Sequence, residues 1–303
     1  MTDAPTIFTA HDIPDLLNAL PTLFGFRPSE SLVAVATQGP RRRFGFRLRV
    51  DIPPAHHTEE LAELVAGHLR RQGAEGAILV AVTEEQEIAR TLLAAIDSYL
   101  QDVELVVAVR ADGSHYWVDV PDFPDEGIAY DTSDHHLSIV KAVAAGQQIL
   151  PDRAALAARF APVDGERRHE IQKITDAVVA EIGQTPELSR IVENGERLTD
   201  MDAVRLAVWV SDQHVRDAFW ALISRDNAAE MLAILTRVSN VVVPPFEPAV
   251  LSLTAFAAWL SGDGAQALIA VERALEADPS YGMARGVLAL LEGGVSPVHW
   301  GEF

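Results

Sequence analysis

Residues 16–51 read LLNALPTLFGFRPSESLVAVATQGPRRRFGFRLRVD, and this stretch decides the first half of the fold. Its leucines are spaced for one face of a helix, which Asp12 and Pro14 would open and Gly25 would end. Pro21 lies inside this pattern and predicts a kink or a break. The apolar run at 31–37 then predicts a strand that is covered on both faces.

The next strand, at 43–51, carries a row of arginines. Its alternation predicts an apolar face of Phe44, Phe46, Leu48 and Val50 and a basic face of Arg43, Arg47 and Arg49. Guanidinium groups in a row suit a phosphate or carboxylate ligand, so we predict a small-anion site formed by these arginines with Arg27, Ser29 and Ser31. The alternative is that the arginines pair with acids of the same protein.

Further along, buried strands alternate with amphipathic helices. The pattern predicts a helix from Thr58, a strand at 77–82, a helix at 84–100 and a strand at 104–109, and Asp112-Gly113 predicts a hairpin. This rhythm predicts a mixed, mostly parallel sheet with flanking helices for residues 1–125. No glycine-rich phosphate loop follows any of these strands.

Residues 121–126, PDFPDE, predict an exposed linker. The remainder, 126–303, reads as an all-α domain, apart from a possible short strand at 241–243. The segment 200–224 is expected to start at a capping box, Thr199 with Asp202, and to break near Ser211.

An internal repeat occurs in this helical half. Residues 218–238 match residues 255–275 at an offset of 37, and Gly262, Ala267, Ala274 and Pro279 have tetratricopeptide-like spacing. The repeat predicts two stacked helical hairpins. Two unrelated alanine-rich hairpins are the alternative.

The composition of the chain limits the kinds of partner that it can bind. The chain carries 44 acidic and 24 basic residues, a net charge of -20. A negative field repels nucleic acid and favours a basic protein partner. The chain has no cysteine, which excludes disulfides and thiolate metal sites and fits a reducing cytoplasm. We expect no secretory signal, no membrane span and no cofactor.

Two further clusters contain residue types that can carry chemistry. Residues 130–136, YDTSDHH, bring carboxylates and imidazoles together, but His135 and His136 point apart, so we expect Ser133 or Asp134 to cap a helix and no metal to bind. Arg216 and Asp217 are expected to face apart and to make structural ion pairs with other partners rather than to catalyse a reaction.

As a whole, the chain resembles an uncharacterised actinobacterial family, the domain of unknown function 4192 family. The matching segments are Leu23–Pro28, Ser31–Val33, Arg49–Asp51, Leu150-Pro151 with Arg153 and Leu156, Val215–Ala218, Ala257–Leu260, Gly262–Ala265, and Ala274-Leu275 with Asp278, Pro279 and Tyr281. The resemblance implies a bacterial cytoplasmic protein and supplies no activity or catalytic residue.

These observations favour a non-enzymatic protein-interaction or adaptor protein that uses its helical half, because helical repeats form partner surfaces. The alternative is an enzyme or sensor that binds a small anionic or phosphorylated ligand at the arginine strand.

Overall fold

The computed structural model describes residues 11–181 and 188–300. The chain forms two compact units, Met1–Arg153 and Ala154–Phe303. Residues 126–153 group with the first unit. The predicted domain boundary at 125/126 states which segments fold independently, so it stays a prediction. No helix in the described ranges is long and apolar enough to cross a membrane.

The first unit contains a six-stranded sheet with helices on both faces. Its elements are α1 (Ile13–Phe24), β1 (Ser31–Gln38), β2 (Arg43–Asp51), α2 (Thr58–Arg71), β3 (Gly76–Val82), α3 (Gln86–Tyr99), β4 (Glu104–Ala111), β5 (His115–Val118), β6 (Ile128–Ala129) and α4 (Leu137–Ala144). The strand order is β2-β1-β3-β4-β5-β6. The mixed α/β architecture is therefore confirmed.

The expectation of a mostly parallel sheet is wrong. Only β3 and β4 are parallel neighbours, and every other adjacent pair is antiparallel. The reason is that β1 lies between β2 and β3, so the crossover through α2 does not place two parallel strands side by side. Hairpins then add β5 and β6 at the edge next to β4.

The sheet buries apolar side chains on both faces, as the run in β1 predicts. Leu32 and its alternate neighbours pack under α2 and α3, whereas Val33 and Val35 pack under α1. Each face therefore has its own apolar core.

The first helix begins and ends where the sequence predicts. The side chain of Asp12 accepts a hydrogen bond from the backbone of Asp15, and Gly25 ends the helix with a φ of 75°. Glycine adopts this left-handed conformation without strain. The helix continues through Pro21 to Phe24, so the predicted break does not occur.

The second unit is helical. Its elements are α5 (Arg153–Ala158), which begins at the division between the units, α6 (Gly165–Ala180), α7 (Leu188–Asn194), α8 (Asp200–Trp209), α9 (Gln213–Trp220), α10 (Ala228–Val241), α11 (Glu247–Leu260), α12 (Gly264–Ala277) and α13 (Gly282–Glu292). The capping box at Thr199 and the break near Ser211 are confirmed. The predicted strand at 241–243 is wrong, because α10 extends to Val241.

A fully buried helix organises this unit. Every residue of α11 from Pro248 to Leu260 is buried, and α10, α12 and α13 pack around it. The hydroxyl groups of Ser252 and Thr254 donate to carbonyl oxygens one turn earlier, at 2.6 and 2.8 Å. These bonds satisfy the polar atoms inside an apolar core.

The two copies of the internal repeat pack differently. In the second copy α11 and α12 pack along each other as a hairpin, with Gly262 in the turn between them. In the first copy α10 packs against α8 and α11 rather than against α9. The tetratricopeptide-like resemblance is not confirmed.

A partly buried ion pair joins the start of α11 to α12. The guanidinium of Arg273 lies 3.5 Å from the carboxylate of Glu247, and less than a fifth of either side chain is exposed. Arg273 also donates to the carbonyl oxygen of Phe160, so it holds the segment after α5 against the core. Burial lowers the pKa of Arg273, and the charge of Glu247 opposes that shift.

Candidate functional site

The arginine strand contains a β-bulge. The register of β1 and β2 shifts between Val35 and Thr37, so β2 carries one extra residue there. An extra residue reverses the alternation of side chains beyond it. Accordingly, Phe44 packs into the core under α1, whereas Phe46 packs into the core under α2 and α3.

The bulge divides the predicted row of arginines. Because Phe44 faces α1, its neighbour Arg43 lies on the opposite face of the sheet from Arg47 and Arg49. The expectation that all three share one face, and that Phe44 shares a face with Phe46, is therefore wrong. Alternation alone could not show this, since the bulge is a property of strand pairing.

The arginines on the α1 side contact their own protein. Arg47 Nε donates to the carbonyl oxygen of Leu23 at the end of α1, at 3.1 Å. Arg49 Nε donates to Ser31 Oγ at 2.8 Å, its Nη2 donates to the Ser29 carbonyl oxygen at 3.3 Å, and its Nη1 lies 2.8 Å from Asp51 Oδ1. Only 11% of the Arg49 side chain is exposed, and burial lowers its pKa.

The structure therefore gathers Ser29, Ser31 and Arg49 into one hydrogen-bonded cluster. Ser31 Oγ accepts from Arg49 and donates to the Ser29 carbonyl oxygen. The contact between Arg49 and Asp51 matches the alternative in which the arginines pair with acids of the same protein, whereas Arg47 donates to a backbone carbonyl oxygen. The anion site on this strand stays a prediction.

Arg27 lies elsewhere, in the wall of a surface pocket. The pocket has a volume of about 160 Å³ and is lined by Leu17, Leu20, Pro21, Arg27, Pro28, Val82, Gly113, Tyr130 and Thr132. It lies where β3 ends and beside the turn that follows β4, at the carboxyl ends of the two parallel strands. Open α/β sheets commonly bind ligands at this edge.

Tyr130 provides a hydroxyl group in the wall of this pocket. Its ring packs against Tyr116, with the ring centroids 6.2 Å apart. Burial raises the pKa of Tyr130 to about 12, and the nearby charge of Asp112 acts in the same direction. The phenol is therefore neutral at physiological pH and can donate a hydrogen bond.

Next to the pocket, the backbone of Glu30 is strained. Glu30 has a φ of 42°, and its carboxylate accepts a hydrogen bond from Thr83 Oγ1 at 2.7 Å. Non-glycine residues seldom adopt this left-handed conformation, and such strain concentrates at functional sites. The feature is consistent with a site at this edge.

The segment 130–136 is used for structure. His136, and not Ser133 or Asp134, caps α4, because its side chain accepts from the backbone of Ser138. Ser133 Oγ instead accepts from the backbone of His135. Within residues 11–181 and 188–300, no three side chains of metal-ligand type come together.

Arg216 and Asp217 contact each other, so the expectation that they face apart is wrong. Arg216 Nη2 donates to Asp217 Oδ1 at 2.7 Å, and its Nη1 donates to the hydroxyl of Tyr281 at 3.0 Å. The long arginine side chain curls back toward its neighbour, which residue spacing alone does not reveal. The pair ties α9 to the residue before α13.

An aromatic cluster lies at the end of the second unit. The Trp300 ring packs against Phe256, Trp259 and Trp220, at centroid distances of 5.3, 5.4 and 6.4 Å. Two hydrogen bonds hold this C-terminal segment: Trp259 Nε1 donates to the Val295 carbonyl oxygen at 2.9 Å, and Arg225 donates to that of Val298 at 2.8 Å.

Close to this cluster in the chain, large apolar side chains are exposed: Val295 and Val298 belong to the same segment as Trp300, and Leu222 follows Trp220 by two residues. Leu222, Val295, Val298 and Trp300 are each 41–48% exposed, and we call these four residues the aromatic patch. The sequence patterns do not predict this patch, because the exposure of these side chains depends on how residues 295–300 pack against α11. Residues 295–300 are no richer in apolar residues than the chain as a whole, so composition gives no signal there.

The chain thus combines a mixed α/β unit, which carries a small pocket, with an α-helical unit, which carries an exposed aromatic patch. The chain belongs to the family described as Domain of unknown function (DUF4192), whose model matches residues 14–298. The predicted resemblance is confirmed. No curated protein and no solved structure matches the chain. The actinobacterial source and cytoplasmic setting that the resemblance implies stay predictions.

Proposed function

We propose that this protein is a non-enzymatic interaction protein that binds another protein through the aromatic patch of its helical unit. The supporting observation is the patch itself: the Trp300 ring packs on the aromatic cluster and is still 41% exposed, and the other three side chains of the patch are exposed as well. Apolar patches on soluble proteins mark interaction sites, and tryptophan is enriched among the residues that dominate binding energy.

The partner on this proposal is a basic protein with an apolar anchor. The net charge of -20 attracts positive surfaces and speeds their encounter. The apolar patch then supplies the contact that excludes water. Binding of such a partner weakens as salt increases, because salt screens exposed charges.

The aromatic patch rests on a buried helix. Phe256 and Trp259 belong to the buried helix α11, so they form a rigid base for Trp300. A rigid, preformed surface loses little conformational entropy on binding. This favours a binding role over a chance exposure of apolar residues.

The test is to recover partners from the source cells with the wild-type protein and with Trp300→Ser, then to measure the affinity of the purified partner. We expect Trp300→Ser to weaken binding about tenfold or more, as for a central aromatic contact. Leu137→Ser is the matched control, since Leu137 is an exposed apolar residue of the other unit, on α4.

Circular dichroism establishes that both variants are folded. The proposal is contradicted if the partner binds Trp300→Ser as tightly as it binds the wild type. It is also contradicted if Leu137→Ser loses as much affinity for the partner as Trp300→Ser does. Affinity that rises with salt contradicts the basic partner.

A further inference from the structure

We infer that the pocket beside Arg27 binds a small organic monocarboxylate with an apolar body, and that the Arg27 guanidinium holds its carboxylate. This inference goes beyond the proposed protein interaction and does not depend on it, since every residue of the pocket lies in the first unit. On this inference, the anion binds in the pocket and not on the arginine strand.

Arg27 has hydrogen-bond donors that can hold a carboxylate. Arginine carries five N–H donors in a planar fork that fits a carboxylate with two parallel hydrogen bonds. Among the described residues, the hydrogen bond found for this guanidinium is a single one, to Asp134 Oδ1. The side chain is 32% exposed, so the remaining donors are accessible from the pocket side.

The lining and the volume of the pocket suit a small ligand with an apolar body. Apolar side chains form most of its wall, contributed by Leu17, Leu20 and Pro21 of α1 together with Pro28 and Val82. Drug-sized ligands occupy pockets of roughly 300–1,000 Å³, so about 160 Å³ suits a ligand of only a few non-hydrogen atoms. One cation in an apolar wall fits one carboxylate with a short aliphatic chain.

Tyr130 provides a second donor. Its hydroxyl stays protonated at physiological pH, so it can donate to an anion. Its position is fixed, because its backbone N–H donates to the Ser114 carbonyl oxygen at 2.9 Å and its ring packs on Tyr116. The charge of Arg27 favours a carboxylate over a neutral ligand of the same shape, and the Tyr130 hydroxyl can add a second hydrogen bond.

Nearby acids do not prevent binding. Asp112 accepts hydrogen bonds from the backbone and hydroxyl of Ser114 within its own turn, and Glu30 accepts one from the hydroxyl of Thr83, so both carboxylates already have donors within the protein. Asp134 is the direct competitor, since it pairs with Arg27. Its side chain is 81% exposed, and exposed ion pairs are weak, so a ligand carboxylate can displace it.

Because Asp134 competes with the ligand for Arg27, the inference can be tested with butyrate as the probe. Butyrate binding to the full chain is measured by ligand-observed NMR and by calorimetry. Arg27→Gln is expected to weaken butyrate binding about tenfold or more, because a charge-assisted hydrogen-bonded pair is lost. Asp134→Asn is expected to strengthen it, because it removes the competing carboxylate. Tyr130→Phe is expected to weaken it by less than Arg27→Gln does.

Three controls separate the pocket from other sites. Arg47→Ala keeps the pocket and is expected to leave butyrate binding unchanged, whereas a site on the arginine strand would lose affinity. Butyramide has the same shape without the charge and is expected not to compete. Inorganic phosphate is expected to bind more weakly than butyrate, because it has no apolar body.

Several results would overturn the inference. These are absence of butyrate binding to the wild type, equal affinity in folded Arg27→Gln, weaker binding in Asp134→Asn, or tighter binding of phosphate. None of them bears on the aromatic patch, so the protein-interaction proposal is tested separately.

Discussion

The imidazole of His136 joins α4 to Asp15 of α1, with Nε2 of the ring 3.1 Å from Oδ1 of the carboxylate. The other ring nitrogen, Nδ1, accepts from the backbone N–H of Ser138 and so caps α4. One side chain therefore both starts a helix and fixes it to its neighbour.

The stability of this contact depends on pH. The hydrogen bond to His136, followed by that from the His11 backbone, lowers the pKa of Asp15. A carboxylate whose folded pKa lies below its unfolded value of about 3.9 contributes stability above that value and loses it as pH falls through the folded pKa. We expect Asp15→Asn to melt at a lower temperature than wild type at pH 7. The difference should begin to shrink as pH falls below about 4 and should vanish once the pH is below the folded pKa of Asp15, which lies lower still.

Thermal unfolding of both proteins between pH 7 and pH 2 measures this difference. Asp102→Asn, in the exposed turn before β4, is the control and should change the melting temperature little at any pH. A difference for Asp15→Asn that persists undiminished in acid would contradict the assigned role of the carboxylate.

Arg273→Ala tests the ion pair with Glu247. Each side chain is less than a fifth exposed, so removing Arg273 leaves the Glu247 carboxylate without its partner in a partly buried site, and we expect the free energy of unfolding to fall by about 1–3 kcal/mol. Arg285→Ala, at an exposed position on α13, is expected to change it by less than about 0.5 kcal/mol. Urea unfolding measures both, and equal losses would argue that the Arg273 pair adds nothing to stability.

Ala267→Leu tests the close approach of α11 and α12. Ala267 is fully buried, and extra methyl groups there are expected to cost about 1–3 kcal/mol of unfolding free energy. The neighbouring position Gln266 does not serve as a control, because it is buried and its side chain donates to Asp263 at 2.6 Å. Ala277→Leu, exposed at the end of α12, is therefore the matched control. Equal tolerance of leucine at both positions would contradict the tight packing.

Limited proteolysis tests the linker prediction. Five of the six residues 121–126 are exposed, so we expect cleavage there. After cleavage, residues 126–153 should remain bound to the preceding sheet, because β6 pairs with β5 and α4 packs on α1. Size-exclusion chromatography of the cleaved protein measures this association. Release of residues 126–153 together with the second unit would instead support a domain boundary at 125/126.

Local features were determined by the sequence itself. The apolar run of β1 requires cover on both faces, and Asp12 and Gly25 fix the ends of α1 through their own backbone and side-chain chemistry. The helices of the second unit follow from spacing and caps in the same way. These features depend on residues within a few positions of each other, so periodicity and propensity are sufficient to predict them.

Features that depend on distant residues were decided by the tertiary structure. The insertion of β1 between β2 and β3 makes the sheet mostly antiparallel, and the bulge opposite Ala36 turns Arg43 away from Arg47. Both depend on which strand pairs with which, and many pairings satisfy the same apolar pattern. The pocket at Arg27 and the exposure of Trp300 have the same origin: each surface is built from segments far apart in the chain, and only their packing brings them together.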